Sequence, residues 1–207
     1  MAHPEWDDCY RTGSLPWDTG EPDGHLVEVV RARRLSGGRA LDVGCGTGTN
    51  AIWLARQGFD TLGVDVAPTA IDRAAAKQRA AGVACRFAVS DFLAAAPPGG
   101  PFDLVFDRGC FHVFDAAADR DRFAARVAEV LGPDGLWLSL IGSTEGPPRD
   151  EGPPRRSLRD VAAAIEPHLR VVEVRAIELR VDEPTSPQAW LCVSRRRMTA
   201  AQPSTVR

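Results

Sequence analysis

Leu41-Asp42-Val43-Gly44-Cys45-Gly46-Thr47-Gly48-Thr49-Asn50 decides how this 207-residue chain folds. A short β-forming run enters a loop with glycine at three alternate positions, and a helical pattern follows. Glycine there lets the backbone turn tightly and approach a ligand where a Cβ would intrude. The spacing is G-x-G-x-G. A dinucleotide fingerprint needs its third glycine one residue later, where Thr49 stands, and no G-K-[ST] follows to make a P-loop.

From Arg39 onward, β-rich runs alternate with helical patterns, the arrangement of a sheet wrapped by helices. Strands are expected at Ala40–Val43, Thr61–Asp65, Ala84–Val89, Leu104–Asp107 and Leu136–Ile141. Helices are expected at His25–Leu35, Asn50–Gln57, Pro68–Ala81 and Asp119–Leu131, the last ended by Gly132-Pro133. Val171–Val181 and Gln188–Arg195 are separated by a stretch too short for a crossover helix, so they should pair as an antiparallel hairpin. The expected fold class is therefore α/β, a doubly wound, mostly parallel, Rossmann-like sheet of seven strands completed by that hairpin.

Residues 1–197 read as one domain, with Met1–Gly24 an irregular or partly helical cover, Gly142–Arg155 a lid-like loop and 198–207 a disordered tail. A net charge of −3 offers no clustered positive surface for nucleic acid. No apolar run reaches spanning length and no secretory leader is present, so a cytoplasmic protein with a small-molecule partner, monomeric or weakly dimeric, is expected. Cys9, Cys45, Cys85, Cys110 and Cys192 stand singly, so neither a zinc site nor a disulfide framework is indicated and no metal is expected. Lys77 is the only lysine, and a bias of the coding sequence accounts for the abundant arginine; the Arg195-Arg196-Arg197 run reads as solvated charge.

Asp65 ends the second expected strand, at the distance from the glycines where a carboxylate can accept from ribose hydroxyls. Ser90-Asp91-Phe92 ends the third, where a carboxylate can accept from an exocyclic amine and a ring can line an adenine pocket. In that order, Asp42-Val-Gly-Cys-Gly-Thr-Gly, Val64-Asp65 and Ser90-Asp91-Phe92 resemble the successive motifs of class I S-adenosylmethionine-dependent methyltransferases. Glu5-Trp6-Asp7-Asp8-Cys9-Tyr10 with Leu15-Pro16-Trp17-Asp18-Thr19-Gly20 resembles the cover of the thiopurine and halide/thiol members. Val105-Phe106-Asp107-Arg108-Gly109 resembles a thiopurine methyltransferase motif, and the loop with Asn50 resembles the tellurite-resistance members.

The resemblance implies S-adenosylmethionine as cofactor and a soft nucleophile, most simply a thiol, as acceptor. It implies that Trp6, Tyr10 and Trp17 close over the cofactor, that Gly44 and Gly46 approach its methionine portion, and that Asp65 holds the ribose. Asp42, Gly48, Val66, Asp91, Phe92 and Asp107 complete the candidate cofactor set. Asp107, Arg108 and His112 are the candidate catalytic residues. Arg108 would face the pocket and lower a thiol pKa, or pair with an acid such as Glu145. His112 would take a proton or orient the nucleophile, unless it is a helix-end histidine with a satisfied hydrogen bond. Methylation of oxygen or nitrogen, a non-catalytic S-adenosylmethionine-binding module and a nicotinamide dehydrogenase are the rival readings.

Overall fold

The computed structural model describes residues 4–13, 15–146, 154–182 and 186–197. Strand β1 (Arg39–Val43) is buried on both faces after its first residue, as a central parallel strand must be when helices cover each side. The rest of the sheet is β2 (Asp60–Asp65), β3 (Arg86–Val89), β4 (Phe102–Arg108), β5 (Leu131–Gly142), β6 (Leu169–Glu178) and β7 (Gln188–Arg196). Their order is β3-β2-β1-β4-β5-β7-β6, with the first five parallel and β7 antiparallel to both β5 and β6. All seven expected strands form, and the C-terminal pair is the expected hairpin.

Alternate residues of a strand face opposite ways, and here they feed two cores. Leu41, Val43, Val105 and Trp137 pack with Phe123 and Val127 of helix α5 (Ala117–Val130) and Val161 of α6 (Leu158–Ile165). Ala40, Leu104, Phe106 and Leu138 pack instead with Leu26, Val29 and Val30 of α2 (Gly24–Ala32) and Leu54 of α3 (Thr49–Arg56). Helix α4 (Pro68–Ala81) opens with proline and stops at Gly82, as its sequence signals require.

The cover is partly helical, through α1 (Pro4–Thr12). Two local expectations differ. Gly132-Pro133 does not lie outside regular structure after α5: β5 already begins at Leu131, and the partner of Phe102 is Leu131 while that of Leu104 is Leu136, so these residues form an irregularity inside the strand. Helix α6 was not foreseen; Ser157 and Asp160 build a reciprocal capping box at its start. Most of the lid-like loop (147–153) and the tail (198–207) lie outside the described residues. Among the described residues no helix is long and apolar enough to cross a membrane.

Candidate active site

The strand order reverses between β1 and β4, and a crevice opens at their C-terminal ends. A cavity of about 1260 Å3 occupies it. Gly44 and Cys45 leave β1 by donating their N–H groups to Val64 O at 2.8 and 3.0 Å, which ties the loop to β2. Gly44 and Gly46 adopt positive φ, and a Cβ at Gly44 would meet Cys110 Sγ at 3.0 Å while one at Gly46 would meet Tyr10 Oη at 2.8 Å. Both glycines line the cavity. Gly48 departs from its expected role: it is absent from the lining, and a Cβ there would strike Phe87 at 2.6 Å and Ala74 at 2.9 Å, so it serves the packing of helix on sheet.

Asp65 steadies this loop, because its Oδ2 accepts from Gly46 N and its Oδ1 from Ala67 N, each at 2.9 Å. Burial raises its pKa against those same hydrogen bonds. Asp42 lines the cavity with Oδ2 buried and without a hydrogen-bond partner. Burial pushes its carboxyl up to about 8, opposed by the Ala51 N–H and reinforced by the charges of Asp65 and Asp107. Asp91 turns its Oδ1 to Leu93 N at 2.9 Å, and Phe92 serves both cavity and core, 4.9 Å from the Phe123 ring. Val66 lines the cavity beside Asp65.

Asp107 does not join them. It is wholly buried, with Oδ1 accepting from Phe111 N at 3.0 Å and Oδ2 from Trp137 Nε1 at 2.9 Å, and it lies outside the lining. Its place is structural, anchoring the turn after β4 to β5. Burial lifts its carboxyl to about 6.

The buried Asp42 carboxyl gives a pH dependence whose sign follows from where its proton sits. An ordinary aspartate titrates near 3.9, so the folded chain keeps at Asp42 a proton that the unfolded chain releases as pH rises from about 4 to about 8. The folded state therefore loses stability across that window. Asp42→Asn cannot ionise, so its unfolding free energy relative to the parent should climb as pH rises through the window and level off above it. Denaturant titrations at several pH values measure this, and a pH-independent difference would refute it.

The cover is held from three sides. Asp7 of α1 caps α4 by accepting from Thr69 N at 2.8 Å, where Ala67 has no side chain to do so. Trp17 meets the Trp6 and Tyr10 rings edge-on at 5.9 and 6.4 Å, and all three aromatics line the cavity. Asp18 accepts from the Thr47 hydroxyl of the glycine loop at 2.6 Å, and Lys77 of α4 donates to Thr47 and Thr49 at 2.6 and 2.8 Å. Sequence reasoning missed Asp18, Thr47 and Lys77 as a group; the lone lysine in an arginine-rich chain was the available signal.

Arg108 lines the cavity but its partner is not Glu145. Its Nε donates to Asp23 at 2.7 Å, Nη1 to Trp17 O at 3.1 Å and Nη2 to Arg180 O. One guanidinium thus joins the cover, the start of α2 and the chain beyond β6. Asp23 is fully committed: it also caps α2 through His25 N, and its own N–H reaches Asn50 Oδ1.

His112, in a single 3-10 turn (Phe111–Val113), is buried and lines the cavity. Gly142 N donates to its Nδ1 at 2.6 Å, so the neutral ring carries its hydrogen on Nε2. Of the expected roles, a satisfied histidine or an orienting one fits this tautomer, and taking a proton at Nδ1 does not. Burial and the charge of Asp107 push the Cys110 thiol well up, which keeps it neutral. Arg155 and Arg156 pin the base of the lid-like loop, through Ser143 O and His112 O respectively. Among the described residues no group of three His, Cys, Asp or Glu side chains could hold a metal.

Comparison with known proteins places these features in context. Residues 40–135 match a family described as a methyltransferase domain. The chain is 31% identical over 150 residues to the "Probable thiol methyltransferase 2" of Arabidopsis thaliana and to the "Thiocyanate methyltransferase 1" of Brassica oleracea, in each case over 72% of this chain. It spans 65% of the length of those curated relatives. A solved structure described as "Conversion of a Disulfide Bond into a Thioacetal Group during Echinomycin Biosynthesis" superimposes with a TM-score of 0.84 at 27% identity, covering 97% of this chain and 94% of that one.

Proposed function

We propose that the chain is a class I S-adenosylmethionine-dependent methyltransferase and that it transfers the methyl group of S-adenosylmethionine to the sulfur of an organic thiol. The observation that carries the reading is the single cavity that runs from the glycine loop to the far side of β4 beneath the Trp6–Tyr10–Trp17 cover. At about 1260 Å3 it exceeds the ~300–1,000 Å3 of ordinary ligand sites, so cofactor and acceptor can share it.

The residues present fit the cofactor. Gly44 and Gly46 present bare backbone to the cavity at positions where a Cβ would collide with Cys110 and Tyr10, so the loop can approach a ligand closely, and the orphaned Oδ2 of Asp42 is a buried acceptor suited to an ammonium group. Asp65, which lines the cavity, would hold the ribose, and Val66, Asp91 and Phe92, which also line it, would meet the adenine. When bound, the cofactor supplies an activated methyl group on a positively charged sulfur.

The chain's own work is then to position the acceptor and exclude water. Trp6, Tyr10 and Trp17 supply the apolar cover, held down by Asp18 and Arg108. Gly142 N occupies Nδ1 of His112, which keeps that nitrogen from serving as a general base. An oxygen or amine nucleophile calls for such a base, whereas a thiol ionises appreciably near neutrality without one. The two plant relatives and the solved structure described above carry sulfur in their names (a thiol, thiocyanate and a disulfide), whereas other relatives are named as O-methyltransferases of ubiquinone biosynthesis.

Turnover of methyl-labelled S-adenosylmethionine with thiols, phenols and amines tests the proposal. Label on a thiol is the expected result. Label only on phenols or amines would overturn the acceptor class, and cofactor binding without transfer to any of them would favour the non-catalytic binding module.

A further inference from the structure

We infer that the acceptor is an uncharged, bulky organic thiol and that small inorganic anions are refused; the inference rests on the thiol-methylation reading and narrows it. Strand order divides the cavity. Gly44, Asp65 and Asp91 stand at the ends of β1, β2 and β3, on the cofactor side, while the β4 end and the β6–β7 hairpin bound the acceptor side.

Apart from His112 and the guanidinium groups of Arg108, Arg122 and Arg180, the wall of that second half is largely apolar. It carries Val113 and Phe114 after β4, Leu179 and Val181 after β6, and Pro187 before β7. Pro16 and Pro22 of the cover and Pro154 also line the cavity, and proline has no N–H to offer. An anion that sheds its water needs replacement donors, from guanidinium groups or backbone amides. Apolar surface of this extent instead matches an apolar body.

Charge acts in the same direction. Asp18, Glu21 and Asp23 line the cavity from the cover, Asp42, Asp65 and Asp91 from the strand ends, and Asp115 and Asp119 from beyond the 3-10 turn. Against these eight carboxyl groups the described lining offers three guanidinium groups, those of Arg108, Arg122 and Arg180. Two of the three are spent: Arg108 on Asp23 at 2.7 Å and Arg122 on Asp119 at 3.1 Å. Arg156 meets Asp115 at 2.7 Å and Lys77 stands 3.9 Å from Asp18; with these, a proton on Asp42 and the single net positive charge of a bound cofactor, one negative charge remains in excess. Low-dielectric walls focus such a field, so an anion is repelled while a neutral thiol is not.

As the thiol sulfur bonds to the methyl carbon, that carbon leaves the sulfonium sulfur, which keeps the bonding pair, and the thiol proton passes to water at the cavity mouth. The products are a neutral methyl thioether and S-adenosylhomocysteine. A triatomic anion would leave most of the acceptor half filled with water, where a ring-bearing thiol displaces it.

The test uses the full chain with S-adenosylmethionine at neutral pH and compares naphthalen-2-ylmethanethiol with 4-(mercaptomethyl)benzoate, thiocyanate and iodide, at low and at high salt. The expected result is a kcat/KM for the neutral thiol at least about tenfold above that of each anion, with only the anions gaining as salt screens the field. Transfer to the carboxylated thiol or thiocyanate as readily as to the neutral thiol, without a salt effect, would overturn the inference and leave thiol methylation standing. Transfer to no sulfur compound would overturn the function on which it rests.

Discussion

Asp65→Ala should weaken S-adenosylmethionine binding by about a hundredfold, roughly 2.7 kcal/mol by the conversion of affinity to free energy. The loss has two sources. A carboxylate placed to accept from the ribose disappears, and two backbone donors it now satisfies, Gly46 N and Ala67 N, lose their partner. The first of those donors belongs to the glycine loop, so the cradle loosens along with the contact. Calorimetric titration of variant and parent with S-adenosylmethionine measures the effect; equal affinities would remove Asp65 from the site. Asp65→Asn, which keeps one acceptor oxygen, should fall between the two.

Arg108→Ala should be the most damaging single change to stability among the cavity residues, costing about 3–5 kcal/mol, the range for breaking a buried ion pair by removing one partner. The Asp23 side chain is 3% exposed and that of Arg108 13%, so solvent cannot repair the loss. Two carbonyls, those of Trp17 and Arg180, lose their donor as well. Arg108→Lys should rescue little, because an ammonium carries its three donors on one nitrogen and cannot span acceptors that the guanidinium reaches from Nε, Nη1 and Nη2. Arg108→Ala with Asp23→Asn should recover part of the stability, since asparagine still caps α2 without a buried charge. Denaturant unfolding of the single and double variants checks the set, and a loss of less than about 1 kcal/mol in Arg108→Ala, the range of an exposed pair, would refute it.

What the sequence reveals about this molecule follows the range of the forces involved. The strands and the hairpin are legible because each is a local run of β-formers bounded by turn residues, and the glycine loop because its spacing is itself the structure. Asp65 and the Trp6, Tyr10 and Trp17 cover are legible through motif context. Arg108 is legible as a cavity residue but not as a latch, because its partners lie 72 to 91 positions away and no periodicity encodes them. The same holds for Lys77, whose hydroxyl partners stand about thirty positions upstream. Asp107 misled because a strand-end acid looks alike whether it faces a ligand or holds an indole N–H. Helix α6 could have been found from Ser157 and Asp160, a capping pair three residues apart.

The order of the last three strands also sets a timetable. Among the described residues strand β6 pairs only with β7, and β7, later in the chain than both, lies between β6 and β5. As the chain emerges from a ribosome at about 5–20 residues per second, the parallel half can assemble while β6 waits unpaired for β7. The Arg180 carbonyl that Arg108 seizes lies just before that strand. The latch over the cover is therefore completed only after the chain beyond β6 has been made, later than the parallel half of the sheet, so the cavity closes as a late event of folding.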